Sequence, residues 1–288
     1  MLNNKEKSMD IKNIKTKYLD QYLSQGVSNL DSLVGMKNLP DSCIDLVLTD
    51  PPYGIASKGK LTKSGGKIVS TSQAWGNDFQ DAWEDMNAYW DWFKPYVGQF
   101  HRVMKDGASC IVFLDRKYTG LFTYLIEQEF DLHFKNKVYF KKVNPVPGIT
   151  KLNYRSSIEE AIWFTKGKGY TFNFGSQKEM TQCYEGPIGK KATGHPTEKY
   201  GWMMNPLVKN HTNPGDLILD AFAGSGSTIV SAWKQGRKAI GFEKNPEFFK
   251  MAHARCNQVQ QELNETHTAN QLMAEEELQA QALLLEAA

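Results

Sequence analysis

The segment from Leu217 to Phe242 constrains the fold more than any other part of the chain. An apolar run, Leu217-Ile218-Leu219, leads into Asp220-Ala221-Phe222-Ala223-Gly224-Ser225-Gly226-Ser227-Thr228. A helical pattern follows, Ile229-Val230-Ser231-Ala232-Trp233, and then a second strand-like run, Arg237 to Phe242. Strand, glycine-rich turn, helix and strand make a βαβ unit, which belongs in a parallel sheet covered by helices. The turn lets backbone come close to a nucleotide-like ligand. It is not a full G-x-G-x-x-G pattern, and no P-loop lysine follows, so a phosphate cradle is disfavoured. Glu243 closes the second strand, where an acid accepts both hydroxyls of a ribose. A solvated strand end is the plainer reading of Glu243, and the glycine turn one βαβ unit upstream favours the ribose.

A second strand-and-turn unit lies near the other end. The apolar run Ile44-Asp45-Leu46-Val47-Leu48 reads as a buried parallel strand and stops at Asp50-Pro51-Pro52-Tyr53. Two prolines offer no backbone N–H and fix their own φ, so the strand cannot continue. What remains is a stiff corner with one carboxylate, unpartnered carbonyls and one aromatic ring. Those groups suit a flat ring bearing an exocyclic NH2: the Asp50 carboxylate and Pro51 carbonyl accept its hydrogens, and Tyr53 stacks on its face. Alone, the tetrad is equally well explained as a strand stop.

Together, the two motifs resemble the S-adenosylmethionine-dependent amino-methyltransferases of DNA. The catalytic motif precedes the cofactor motif, the order of that family's beta class. His195-Pro196-Thr197-Glu198-Lys199 is similar to the His-Pro-Thr-x-Lys-Pro element of the class, with Tyr200 in place of the final proline. The resemblance spans roughly residues 26 to 256. It implies an α/β, Rossmann-like methyltransferase fold: a mostly parallel twisted sheet, helices on both faces, circularly permuted motif order. It implies Asp50, Pro51, Pro52 and Tyr53 as the catalytic set and S-adenosylmethionine as cofactor. The cofactor set is Asp31, Lys199, Asp220, Phe222, Gly224, Gly226, Ser227, Thr228 and Glu243. Lys199 meets the methionine carboxylate with the Thr228 hydroxyl nearby, and Phe222 or Tyr53 faces the sulfonium. Asp31 either accepts from the cofactor adenine or caps the helix that begins at Ser32. Aspartate heading the tetrad resembles the adenine-N6 enzymes; serine is more typical of the cytosine-N4 enzymes. Cytosine-N4 or RNA amino-methyltransferases and a non-catalytic DNA-binding relative remain alternatives. No metal is implied.

The chain has 288 residues, ample for one large α/β domain, and a net charge of only +2. The average hides a split. All 34 Lys and Arg lie at or before Arg255, whereas six of the 32 acids follow it, leaving a body at about +8 and an acidic tail. A basic body is compatible with double-stranded DNA as partner and equally with ordinary surface lysines. Residues 1–25 are expected to be a flexible lead or loose helix, 26–256 the catalytic domain and 257–288 an acidic helical tail. The tail's apolar residues, Leu272, Met273, Leu278 and Leu283-Leu284-Leu285, either pack on the body or pair two subunits as a homodimer. The lysine- and glycine-rich loop at 54–80, with Lys58, Lys60 and Lys63, is expected to close over DNA. Lys141, Lys142, Asn144 and Arg155 are expected to contact phosphates or base edges. Residues 167–194 hold a short target-recognition element by family order. The aromatics between Trp83 and Tyr96 are expected to be mostly core. No apolar run is long enough to cross a bilayer, and no signal-peptide pattern opens the chain, so a cytoplasmic protein with reduced Cys43 and Cys110 is expected.

Overall fold

The computed structural model describes residues 4–53, 63–64, 67–68, 83–147, 152–195 and 197–286. In chain order its first elements are α1 (Asn4–Gln25), β1 (Val27–Asn29), α2 (Ser32–Lys37) and β2 (Ile44–Thr49). A small hairpin of β3 (Lys63–Ser64) and β4 (Lys67–Ile68) precedes α3 (Met86–Val103), β5 (Met104–Leu114), α4 (Thr119–Glu129), β6 (His133–Lys142) and β7 (Ile158–Thr165). Then come β8 (Cys183–Gly186), α5 (Gly201–His211), β9 (Leu217–Asp220), α6 (Ser227–Trp233), β10 (Lys238–Glu243) and α7 (Pro246–Glu286).

Eight strands form one sheet in the order β1-β10-β9-β2-β5-β7-β6-β8. The strands from β1 to β5 in that order are parallel; β7 is antiparallel to β5 and β6, and β8 runs parallel to β6. The α/β class and parallel core expected from the two βαβ-type segments are therefore what the chain adopts. Because β9 and β2 are neighbours, the glycine turn and the diproline corner leave the sheet side by side. Strand order reverses there, and ligands of open α/β sheets bind at such a reversal, beyond the strands' carboxyl ends.

Side-chain alternation divides the core in two. Val47, Cys110, Val112, Leu219, Ile240 and Phe242 face one layer with helices α1 to α4. Leu46, Leu48, Ile111, Phe113 and Ile218 face the other, with α5, α6 and the first turns of α7. Each fully buried side chain of this size stabilises the fold by roughly 1.5–3 kcal/mol. In α3, Tyr89, Trp90, Phe93 and Tyr96 are buried, so that stripe is packing, as expected.

Several boundaries differ from the reading of the sequence. The amino-terminal segment is helical over Asn4–Gln25. The tail does not start a new element at 257: α7 runs unbroken from Pro246, because neither Gly nor Pro interrupts it. Leu272, Met273 and Leu278 on its distal part are exposed. β8 lies inside the proposed recognition element as a sheet-edge strand. Most of the loop at 54–80, with Lys58 and Lys60, lies outside the described residues. Cys110 and Cys256 are buried, Cys43 is half-buried and Cys183 exposed, all as free thiols. Among the described residues, no helix is long and apolar enough to cross a membrane, and no group of three or more His, Cys, Asp or Glu could hold a metal ion.

Candidate active site

The carboxyl ends of the parallel strands make one rim, and the antiparallel β7 brings its amino end to the same rim, with Leu114 opposite Glu160. Asp50 follows β2 there, Asp220 ends β9 and Glu243 ends β10. The tips of β2 and β9 are bonded directly: Thr49 Oγ1 donates to Asp220 Oδ1 at 2.8 Å.

The corner is rigidly held. The Tyr53 hydroxyl donates to Asp50 Oδ1, and the Tyr89 hydroxyl donates to the Pro52 carbonyl at 2.6 Å. Pro51 is buried, while Asp50, Pro52 and Tyr53 are half-buried. With the Pro52 carbonyl used by Tyr89, that of Pro51 is the neighbouring backbone acceptor. Burial pushes the Asp50 carboxyl above its ordinary value, and the Lys199 ammonium 2.9 Å away pulls against that rise.

The glycine turn is built for close approach. Gly224 and Gly226 have φ of 51° and 74°, the left-handed region that side chains disfavour. A Cβ on Gly224 would lie 3.2 Å from the His195 ring. The Glu243 carboxylate accepts from the Gly224 N–H at 2.9 Å and the Asn245 N–H at 2.7 Å, which aims it across the turn. Burial pushes its pKa up to about 7. Half-buried Phe222 packs on Tyr96 and Trp92, with ring centroids 4.9 and 5.7 Å away. A carboxylate with spare lone pairs, the half-buried backbone of Gly224 and an aromatic wall fit a nucleoside with a ribose diol.

Five residues of the expected cofactor set have polar groups engaged within the protein. Asp220 is buried; its oxygens accept from Thr49, from the Phe222 N–H at 3.0 Å and from the Thr228 hydroxyl at 2.6 Å. Asp220 and Thr228 therefore brace the turn from inside, since their polar atoms are spent on each other. Lys199, expected at a methionine carboxylate, instead has its ammonium between Asp50 and Glu159. Ser227 sits in the turn, its hydroxyl donating to the Lys199 carbonyl at 3.0 Å. Asp31 caps α2 by accepting from Leu33 N–H at 3.0 Å, and its other oxygen lies 3.5 Å from Lys244. The capping alternative is thus realised in the geometry.

Burial pushes the Asp220 pKa up to about 6. The raised value favours the protonated acid in the fold, so its stabilising effect is complete below the ordinary value of 3.8 and lost as pH rises through about 6. Asp220→Asn removes this dependence. Between pH 4.5 and 7, the variant's unfolding free energy should gain on the parent's by roughly 2–3 kcal/mol. Urea melts at both pH values measure it, and parallel behaviour of the two proteins would refute the assignment.

The residues expected at DNA are placed as follows. Exposed Lys141 pairs with Glu185 at 2.9 Å. Lys142 is committed to Glu159 at 2.6 Å. The Asn144 side chain is used locally, donating to the Ile188 carbonyl and accepting from its N–H, both at 2.7 Å. Arg155 donates to the Pro145 carbonyl and braces that loop. Lys63 opens β3. Asn144 thus spends one donor and one acceptor on Ile188, and Lys142 is drawn toward Glu159.

Reading the sequence missed Glu159, Glu198 and Arg255. Glu198 accepts from the Ala192 and Thr193 N–H groups at 2.9 and 2.8 Å and lies 3.5 Å from Arg255. Arg255 also donates to the Ser225 carbonyl at 3.2 Å and Ser227 Oγ at 3.1 Å, tying α7 to the glycine turn. For Glu159 a signal existed: an acid pair, Glu159-Glu160, opens an otherwise apolar strand.

A three-layer α/β fold with these corners on one rim defines a DNA methylase, and the chain belongs to that family: the N6_N4_Mtase sequence model, described as DNA methylase, matches residues 44–254. It is 26% identical over 254 residues to the Type II methyltransferase M.HinfI of Haemophilus influenzae, covering 82% of this chain and 69% of that one. It is also 26% identical over 245 residues to the Type II methyltransferase M2.LlaDCHI of Lactococcus lactis subsp. cremoris, covering 79% and 87%. Among solved structures, the M1.HpyAVI–SAM complex shares the fold with a TM-score of 0.59 at 21% identity, covering 80% of this chain and 98% of that one. The cytosine-N4-specific PvuII DNA methyltransferase does so with 0.63 at 17%, covering 81% and 90%.

Proposed function

We propose that this DNA methyltransferase uses S-adenosylmethionine to methylate the N6 amine of adenine in double-stranded DNA after extruding the base. The observation that carries the reading is the Asp50 carboxylate, held by Tyr53 at the rim beside the glycine turn through the Thr49–Asp220 bond. The bound cofactor supplies a methyl group on a sulfonium that carries its own leaving group. Phe222, Gly224, Gly226, Ser227 and Glu243 hold it; Asp220 and Thr228 brace the turn, and Asp31 stays with the cap of α2.

An adenine amine is a poor nucleophile because its lone pair is delocalised into the ring. The Asp50 carboxylate and the Pro51 carbonyl accept its two hydrogens and set the lone pair toward the methyl donor. Tyr53 stacks on the extruded base, worth roughly 1–3 kcal/mol against an unstacking cost of a few kcal/mol. The rate gain is orientation and preplaced dipoles, with no covalent intermediate. Lys141 and the lysines of 54–80 are the cations assigned to phosphates.

Expression in a host lacking DNA methylation, followed by modification-sensitive sequencing of its genome, tests the reading. N6-methyladenine confined to one sequence motif is the expected result. N4-methylcytosine would reassign the base, and an unmodified genome with cofactor-competent protein would overturn the activity.

A further inference from the structure

Glu159 is half-buried at the second residue of β7, on the same rim as Asp50. Four charged groups form a chain there. Lys142 lies 2.6 Å from Glu159 Oε1; Glu159 Oε2 lies 2.7 Å from Lys199 Nζ; Lys199 Nζ lies 2.9 Å from Asp50 Oδ2. The third N–H of Lys199 goes to the Tyr53 hydroxyl at 2.9 Å, and its ammonium lies 4.7 Å from the centre of the Phe113 ring. Two acids and two bases balance, and all three ammonium protons of Lys199 are used.

Lys199 is 8% exposed, against 19% for Asp50 and 22% for Glu159. An ammonium this deeply buried cannot leave one carboxylate without another to receive it. Burial works against charge on both partners. Even so, the two acids hold the Lys199 ammonium well above the ordinary lysine value, and Lys199 with Lys142 pulls Glu159 down to about 2. Both shifts favour the charged form.

The reading of Asp50 above gives its carboxylate to the target amine, yet Oδ2 already holds Lys199. An incoming NH2 and the ammonium compete for one oxygen. We propose that Glu159 is a positioning residue that gives the Lys199 ammonium a second seat, so that Asp50 Oδ2 can pass from the ammonium to the amine of the target base. Glu159 is already within bonding distance, so the exchange needs a small shift of one flexible side chain and leaves the buried ammonium paired. Lys142 offsets the second carboxylate and keeps the cluster neutral. This inference rests on the Asp50 reading and adds to it a means of clearing the acceptor.

The test uses the full chain and a duplex carrying its methylation motif, with 2-aminopurine beside the target adenine, which keeps its N6 amine. The fluorescence of the 2-aminopurine rises when its neighbour leaves the stack. In Glu159→Gln, Lys199 keeps only Asp50 as an anionic partner. The extruded fraction and the single-turnover transfer rate should each fall about tenfold, with cofactor affinity within about twofold. Glu159→Asp, which keeps the charge, should recover most of the loss. In a Lys199→Met background, adding Glu159→Gln should change extrusion less than twofold, because the competitor is gone. An extruded fraction in Glu159→Gln equal to the parent's, or the same tenfold loss in the Lys199→Met background, overturns the inference. Asp50→Asn separates the two levels: if it transfers methyl normally, the Asp50 reading fails. If it is inactive while Glu159→Gln behaves as the parent, only the role of Glu159 fails.

Discussion

Asp50→Asn is expected to reduce methyl transfer by roughly 10²–10³-fold, the usual cost of removing a preplaced electrostatic partner of the reacting group. The asparagine keeps the volume but exchanges one oxygen for an NH2. Either that NH2 faces the Lys199 ammonium now at Oδ2, or it faces the Tyr53 hydroxyl now at Oδ1. In the first the target amine meets a donor at Oδ2's place or a neutral oxygen shared with Tyr53; in the second it meets a neutral amide oxygen, a weaker acceptor than the carboxylate. The corner itself should survive, because the prolines and the Tyr89–Pro52 bond hold it independently. Cofactor affinity should stay within about threefold, since the cofactor set lies on β9 and β10. Calorimetry with S-adenosylmethionine and a tritiated-methyl assay on DNA separate the two quantities. Near-normal turnover would remove Asp50 from the mechanism.

Glu243→Gln is expected to weaken cofactor binding about 10²-fold while DNA affinity changes by less than about threefold. The carboxylate already serves two backbone N–H groups, those of Gly224 and Asn245. Glutamine can serve only one, and its own NH2 then points at the other. A ribose diol would lose charge-assisted bonds worth roughly 1.5–3 kcal/mol each. A purely structural role would lower both affinities together. Equal cofactor affinity in variant and parent would exclude Glu243 from the pocket.

Local chemistry is what made the fold class readable. Apolar runs that end in glycine or proline describe strands whether or not their partners are known, and Leu217–Leu219 and Ile44–Leu48 became β9 and β2. The aromatic stripe of α3 was readable for the same reason, since helical spacing puts Tyr89, Phe93 and Tyr96 on one face. β8 was not, because an edge strand of four residues carries too little pattern, and its pairing to β6 is a non-local event. The continuity of α7 is not legible at 257, because the charge of the sequence changes there and the helix does not. Helices tolerate such a change freely.

Roles that depend on a neighbour were not readable. Thr228 and Asp220 have the chemistry to meet a ligand, and only their mutual bond shows that they do not present it. Asn144 has base-reading groups, and Ile188 takes one donor and one acceptor of them.

The amino-acid order by itself determined that two stiff turns of opposite character, one acidic and aromatic, one glycine-rich, each end a buried strand. Proline and glycine act on their own backbone, so these features need no distant partner. Only the tertiary structure decided that β2 and β9 adjoin, and that Lys199 lies against Tyr53 across 146 residues of chain. Charge pairing inside a protein depends on distance and burial, and neither is a property of one residue.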